Sequence, residues 1–499
     1  MKISFPAQII LSGLFGGSLA LAFAPFNIIW FALLSPIFLF FLVQKHTPRM
    51  AAILGFVFGI VFFGVGASWI FVSIYEFGGT AWPIAALITF LFVGLLASTV
   101  SLMVFILQYF FYPNTYQKLL LVYPALWSLV EFLRSWIFSG FPWLLLGQSV
   151  PNTFFFGLAP IFGVYATGML LIIIGGLIAL IALPAFQHQY YFAQQSRRRC
   201  LFILVLLLAG IYTANYVHWE KPLESSIPIL LVQGNIPQSI RWDETAVPNI
   251  LKTYEELTQV DHKKTLVIWP EGAIPLFPEQ AKYFFSKIAS QLQLTKSGLL
   301  TGIPWKENKN YYNAVVGLGE AQGHYFKRHL VPFGEYVPYE KYLRGLINFF
   351  NLPMSNFSAG DLKQSLIYFN HIPIGVYVCY EVAYSKIVRA DLPQAKILVT
   401  VLDDAWFGHS LAPSQHLQIG QFMALAAARP MLFVGNNGLT AVISPRGRIQ
   451  SIIKPFQTQT LSSEIYSYTG TTPWVRFGDM PWIIVMLLIL FLNGKRKKC

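Results

Sequence analysis

Charge is what this chain lacks. Only 11% of its 499 residues are Asp, Glu, Lys or Arg, against about 25% in an ordinary soluble domain, which excludes a uniformly water-soluble fold. Acid is scarcer than base, 22 residues against 35, leaving a formal net charge of +13. Cysteine is scarce too. Cys200, Cys379 and Cys499 are an odd number without framework spacing, which excludes a disulfide-stapled scaffold. No His/Cys cluster has zinc-ligand spacing and no glycine-rich phosphate loop occurs, so neither a metal nor an organic cofactor is expected. Internal repeats and low-complexity tracts are missing. The base excess does not describe a nucleic-acid site either. Arg197, Arg198 and Arg199, and Lys495, Arg496, Lys497 and Lys498, adjoin apolar segments, where positive charge marks the cytoplasmic face of a membrane. A polybasic tail can also touch anionic lipid.

Long apolar runs are what the chain has instead. A helix needs about 20 apolar residues to cross a bilayer. Candidate spans lie near 7–24, 27–43, 51–72, 82–110, 119–138, 162–184, 201–216 and 476–493. The first could pass for a secretory signal, but a second apolar segment follows at once, which favours a retained helix. With the N-terminus inside, Lys45, Arg49, Lys118 and Arg197–Arg199 all fall on the cytoplasmic side, while the loops near 25 and 75–81 carry no Lys or Arg. Seven crossings before residue 220 and one after residue 471 then put the intervening segment outside and the basic C-terminus inside. Glu131 and Arg134 lie near the end of the fifth run, spaced to pair on one helix face. Either a structural pair or a lipid head-group contact accounts for them.

Residues 220–470 read differently. Short apolar strands are expected at Ile227–Gln233, Thr265–Trp269, Gly298–Thr301, Ala314–Leu318, Ile374–Cys379, Ile397–Leu402, Met431–Gly435 and Thr440–Ser444. Helices are expected at Val247–Val260, Glu279–Gln293, Val382–Ala390 and Ser414–Ala428. That alternation is an α/β pattern, and Pro445-Arg-Gly447 reads as a hairpin turn.

Within this segment three residues stand at or just past strand ends. Cys379 closes the run Ile374-Gly-Val-Tyr-Val-Cys379 and is followed by Tyr380 and Glu381; Glu271 follows Leu266-Val-Ile-Trp-Pro; Lys327 lies in Tyr325-Phe-Lys327-Arg-His-Leu-Val-Pro-Phe-Gly-Glu335. A thiol becomes a nucleophile when a base takes its proton. Glu271, partly desolvated at a strand end, is the candidate base. The tetrahedral oxyanion of acyl transfer needs a fixed positive group or N–H donors. Lys327 and the backbone N–H of Tyr380 are the candidates. Taken singly, each has a plain reading: a small buried hydrophobe, a helix-start carboxylate, a solvated lysine. Together, in one α/β domain, they describe a thiol acyl-transfer site.

Pro270-Glu271-Gly272, the Lys327 segment and Val378-Cys379-Tyr380-Glu381 resemble the Glu-Lys-Cys triad of the nitrilase (carbon–nitrogen hydrolase) superfamily. With Val232-Gln-Gly-Asn-Ile-Pro-Gln-Ser, Asp404-Ala-Trp-Phe-Gly408, Gln415-His416 and Asn436-Asn437-Gly438, the chain looks like the membrane-anchored apolipoprotein N-acyltransferase family. That resemblance implies an αββα sandwich outside the membrane (residues 220–470), between a domain of about seven helices (1–219) and a last helix with a basic tail (471–499). It implies location in the bacterial inner membrane with a periplasmic catalytic domain and cytoplasmic termini. It further implies a ping-pong reaction. Cys379 attacks the sn-1 ester of a phospholipid, phosphatidylethanolamine being expected, and a thioester forms. The acyl chain then passes to the α-amine of an S-diacylglyceryl-cysteine apolipoprotein. Glu271 is implied as general base and Lys327 as oxyanion stabiliser, with no cofactor and a monomer expected.

By motif position, Glu335 and Glu381 hold Lys327 or the thiol, although Glu381 could equally start the helix at Val382, where a carboxylate suits the dipole. Trp242, Trp406 and Phe407 either wall an acyl pocket or pack as core. Phe349 and Phe350, in the apolar stretch 343–354, belong either to a lid dipping into lipid or to a helix packed on its own domain. One departure is Leu402-Asp403 before Asp404-Ala-Trp, where a polar pair with Asn is expected; it touches no triad position in the sequence. Two rival functions remain: a membrane-anchored amidase, and a non-enzymatic lipid transporter or scaffold. The spans show few ionisable residues or paired broken helices of the transporter kind.

Overall fold

The computed structural model describes residues 4–182, 194–258, 263–338 and 356–494. They form two compact units: one built from the chain up to Ser68, Ala86–Val217 and the chain from Arg476, the other from Trp69–Ala85 and His218–Val475. Trp69–Ala85, expected within the N-terminal membrane domain, therefore belongs with the α/β unit.

The first unit is helical: α1 (Phe5–Ala20), α2 (Ile29–Val43), α3 (Pro48–Ala67), most of α4 (Trp82–Phe110), α5 (Tyr123–Arg134), α6 (Ala159–Ala182), α7 (Gln194–Ala214) and, at the C-terminal end, Met480–Asn493. Among the described residues, three helical stretches are long and apolar enough to cross a membrane: Pro48–Ala67, Trp82–Phe110 and Phe156–Ala182. Phe5–Ala20, Ile29–Val43 and Met480–Asn493 are apolar but shorter. At 1.5 Å per residue, a helix of this shorter kind falls short of the ~30 Å hydrocarbon core. Among the described residues, length and apolarity by themselves thus mark three of the eight expected crossings. α7 carries Arg197–Arg199, and α5 is only 12 residues long. Small residues let the helices approach closely: a side chain on Gly16 of α1 would collide with the Phe58 carbonyl of α3, and one on Gly59 with Ala97 of α4. Glu131 and Arg134 are both buried. Arg134 Nη1 donates to the Phe141 and Trp143 carbonyls at 2.9 and 2.8 Å, and Glu131 Oε1 accepts from Leu146 N–H at 2.9 Å. Both side chains bond the backbone of the loop after α5.

The second unit holds two sheets. One has six strands in the order β13-β1-β2-β3-β4-β6, the other seven in the order β12-β11-β10-β9-β8-β7-β5. The strands are β1 (Lys221–Gln233), β2 (Leu266–Ile268), β3 (Gly298–Glu307), β4 (Asn310–Gly319), β5 (Ala321–Gln322), β6 (His324–Phe326), β7 (Ile367–Phe369), β8 (Ile372–Val378), β9 (Ile397–Leu402), β10 (Met431–Gly435), β11 (Thr440–Ile443), β12 (Ile449–Ile453) and β13 (Gln459–Thr469). β1, β2 and β3 run parallel, as do β8, β9 and β10.

Period-two alternation builds the layers. Ile229 and Leu231 of β1 join Ile268, Val376, Val378, Val399, Val401 and Val434 in the core between the sheets. Leu230 and Val232 point the other way, into a second core with Ile250, Tyr254, Phe284, Ile288 and Leu292 from helices Val247–Leu257 and Lys282–Thr295. Helix Ala412–Ala427 covers the seven-stranded sheet, His416 meeting Phe433 edge-on at 5.3 Å. The strands β8, β9 and β10 are buried apolar runs, which parallel strands covered on both faces require. The turn after β11 closes as expected, Gly447 N–H donating to Ser444 O at 2.9 Å.

Candidate active site

The parallel strands deliver their following residues to one end of the sandwich: Glu271 after β2, Cys379 directly after β8, Asp403 after β9 and Asn436 after β10. Lys327 follows the edge strand β6. Glu271 is brought close to β3 by Gly302. Gly302 N–H donates to Pro270 O at 3.2 Å, and a Cβ on Gly302 would strike the backbone of Pro270, Glu271 and Gly272.

Cys379 leaves β8 through a sharp reversal. Val378 is extended, and Cys379 adopts φ 55° in the left-handed region, which costs a non-glycine residue about 1–3 kcal/mol. Glu381, wholly buried, holds the reversal. Its carboxylate accepts from Val378 N–H at 2.8 Å, Arg328 N–H at 2.6 Å, His329 N–H at 3.0 Å and the Tyr325 hydroxyl at 2.9 Å. It thereby ties the Cys379 turn to the segment just past Lys327. The helix expected from Val382 does not begin there. A 3-10 turn spans Cys379–Ala383 and a short helix follows at Ser385–Ala390, so Glu381 is a brace inside a turn rather than a helix-start residue. From behind, His416 Nε2 donates to the Cys379 carbonyl at 3.2 Å while its Nδ1 faces Asp404 Oδ1 at 3.0 Å.

Lys327 is 1% exposed and lies between two carboxylates, with its Nζ 2.8 Å from Glu335 and 3.6 Å from Glu271. Burial opposes its charge, but Glu335 and Glu271 outweigh burial and hold the amine protonated. Burial likewise raises Glu271 above the usual carboxylate range; Lys327 opposes that shift, while Glu335 and Asp403 add to it. Burial pushes the Cys379 thiol well up, with Glu271 adding and Lys327 opposing. At rest the site therefore favours a neutral thiol beside a carboxylate of raised basicity, which suits proton transfer during attack.

Asn313 of β4 had no signal in the sequence. Its Nδ2 donates at 2.7 Å to both Glu271 and Glu335, fixing the two carboxylates about Lys327. Glu335 also accepts Val331 N–H at 2.8 Å. Asp403 does touch Glu271, contrary to the sequence reading: its N–H donates to Glu271 Oε2 at 3.0 Å. Its carboxylate pairs with Arg241, both side chains buried. Neither contact is visible from spacing, since 132 residues separate Asp403 from Glu271.

The remaining candidates divide. Tyr380 is half-buried, its ring 5.1 Å from Tyr384. Trp242 is half-buried beside Arg241. Trp406 and Phe407 pack against Trp69–Ala85: Phe407 meets Trp69 at 4.7 Å, Trp406 meets Phe77 at 6.1 Å, and the Ser73 hydroxyl donates to the Trp406 carbonyl at 2.7 Å. Phe349 and Phe350 lie outside the described residues. Among the described residues no cluster of three or more His, Cys, Asp or Glu could hold a metal.

A cysteine, a lysine and two carboxylates at the strand ends of a two-sheet sandwich point to the carbon–nitrogen hydrolase class, and residues 231–473 match the model of that family, "Carbon-nitrogen hydrolase". Residues 15–177 match "Apolipoprotein N-acyltransferase N-terminal domain". A relative from Coxiella burnetii named apolipoprotein N-acyltransferase is 37% identical, covering 97% of this chain and 99% of its own. One from Methylococcus capsulatus with the same name is 36% identical, covering 95% and 93%. A solved amidase of the nitrilase superfamily from Nesterenkonia is 14% identical, with a TM-score of 0.35 over 49% of this chain and 92% of its own. The chain belongs to the apolipoprotein N-acyltransferase family.

Proposed function

We propose that this protein transfers an acyl chain from a membrane phospholipid to the N-terminal S-diacylglyceryl-cysteine of apolipoproteins, through a thioester on Cys379. The observation that carries the reading is the meeting of Cys379, Glu271 and Lys327 at one end of the sandwich, in a chain whose relatives over nearly full length bear the name of that activity. In the first half-reaction Cys379 Sγ bonds to the sn-1 ester carbon as Glu271 takes the thiol proton. Lys327 and the Tyr380 N–H stabilise the oxyanion. The C–O bond breaks, Glu271 returns the proton to the leaving oxygen, and lysophospholipid departs. In the second, the acceptor amine attacks the thioester, Glu271 takes the amine proton, and the released thiolate regains it. One difficult ester-to-amide exchange becomes two easier steps. Asn313, Glu335 and Glu381 position the reacting groups, and Trp242, Trp406 and Phe407 border the acyl chain. The donor is phosphatidylethanolamine, and the enzyme acts as a monomer.

The proposed topology has eight crossings of the inner membrane, a periplasmic catalytic unit and cytoplasmic termini. It is supported by where the first unit gathers its basic loops. Gln44 bonds Thr115 at 3.0 Å, Lys118 Nζ bonds Gln108 at 2.7 Å, and Phe111 bridges Gly494. The loops holding Lys45 and Lys118 and the start of the basic tail thus share one end, as the positive-inside rule requires.

The test is intact mass after mixing with phosphatidylethanolamine of defined chains, beside Cys379→Ala. A hydroxylamine-labile adduct of one acyl chain, lost in the variant, is expected. Absence of the adduct on folded protein, with turnover of a water-soluble amide, would return the amidase reading.

A further inference from the structure

Arg241 and Asp403 reach the site from different sheets. Arg241 follows β1 and Asp403 directly follows β9, so the ion pair between them spans the sandwich at the end where Glu271 emerges. Their side chains are 5% and 3% exposed. A buried pair of this kind contributes little net stability, because desolvation offsets the attraction. Its contacts are the informative part. Asp403 N–H donates to Glu271 Oε2 at 3.0 Å, and Arg241 Nη1 reaches the Glu271 carbonyl at 3.5 Å. Asp403 Oδ1 is itself held by Asn436 Nδ2 at 3.2 Å and Ala405 N–H at 3.4 Å. Glu271 is thus gripped at its carboxylate by one member of the pair and at its backbone by the other.

We propose that the Arg241–Asp403 ion pair is a positioning device for Glu271, fixing its carboxylate toward Cys379 and setting the local charge against which it accepts a proton. This rests on the reading of Glu271 as the general base. Glu271 is faced by Lys327 and Glu335 on one side and by Asp403 and Arg241 on the other, with the Cys379 thiol as its reaction partner. Asp404 and His416 act on Cys379 rather than on Glu271. Burial raises Glu271, and the Asp403 charge adds to that. Intact, the pair is neutral. Broken from either side, it leaves one sign of charge beside the base, and the two breaks displace Glu271 in opposite directions.

The experiment uses the full chain in detergent, with Asp403→Asn, Arg241→Gln, the double variant and Arg241→Lys. Two rates are followed from pH 4 to 9: acylation of Cys379 by phosphatidylethanolamine, and alkylation of Cys379 by iodoacetamide. Asp403→Asn strands the Arg241 charge, so the acid limb moves down by about one pH unit and the plateau rate falls about tenfold. Arg241→Gln strands the Asp403 charge and moves the limb up by a similar amount. The double variant brings the limb back near that of the parent. Arg241→Lys keeps the charge but loses the planar fork, so its limb stays and its plateau falls, which keeps the test open if a charge-breaking variant does not fold. Limbs that stay in place in both single variants, or a double variant as displaced as either, overturn the proposal. A parent enzyme that alkylates but never acylates would overturn the acyl-transfer reading instead, while the alkylation limbs still decide the role of the pair.

Discussion

Replacing Glu335 by Gln tests whether the charge balance around Lys327 sets the basicity of Glu271. Glu271 Oε1 and Glu335 Oε1 each bond the same Asn313 nitrogen at 2.7 Å, so the two oxygens lie within about 5 Å of each other. At an effective dielectric near 20, like charges at that separation repel by roughly 3 kcal/mol, which opposes ionisation of Glu271. Removing the Glu335 charge therefore lowers Glu271. The change at Lys327 has the same sign, because an amine freed from Glu335 at 2.8 Å turns toward Glu271, now at 3.6 Å. A carboxylate of lower pKa stays ionised to lower pH but accepts protons less readily. The acid limb of acyl-enzyme formation should move down by one to two pH units, and the plateau should fall about 10–100-fold through weaker base strength and a displaced lysine. The assay is the rate of the Cys379 acyl adduct by intact mass from pH 4 to 9. An acid limb that stays, or moves up, would refute the charge argument even if activity fell.

Two further substitutions probe the scaffold of the site. Glu381→Gln leaves an amide N–H facing at least one of the backbone donors now bonded to the carboxylate; a loss of about 2–4 kcal/mol is expected, lowering Tm by roughly 5–10 °C and abolishing the adduct, and a melting curve like the parent's would refute it. Gly302→Ala drives a methyl into the Pro270–Gly272 backbone, so adduct formation should drop at least about tenfold through misplacement of Glu271 while circular dichroism stays unchanged; an unaffected rate would show that the turn can yield.

Much of the α/β unit was legible because its strands are buried on both faces. β9 and β10 coincide with the expected Ile397–Leu402 and Met431–Gly435, since a short all-apolar run between turn residues has few other places to go. The short strands β5, β6 and β7 carried no such signal: two or three residues long, they exist only because a neighbour supplies their hydrogen bonds. The helical unit was legible as apolar runs, whereas helix length was not. The run expected at 51–72 ends as α3 at Ala67, and Trp69 instead meets Phe407 edge-on, a residue more than 300 positions later.

By itself the sequence determined the types of residue the site would need and the order in which they come, because a thiol, a carboxylate and an amine have intrinsic chemistry, and because strand ends can be read from local hydrophobic pattern. Only the tertiary structure decided what holds them. Asn313 between two carboxylates, Glu381 bracing the left-handed Cys379, and Asp403 with Arg241 gripping Glu271 are contacts between strands of different sheets or different parts of one sheet. Apart from the Val378 N–H that Glu381 accepts three residues away, their partners lie tens to hundreds of residues apart, and a polar side chain bears no local mark of the distant group that will satisfy it. The conformation of Cys379 followed the same rule: nothing in Tyr-Val-Cys-Tyr-Glu demands a positive φ, and the surrounding hydrogen bonds impose it.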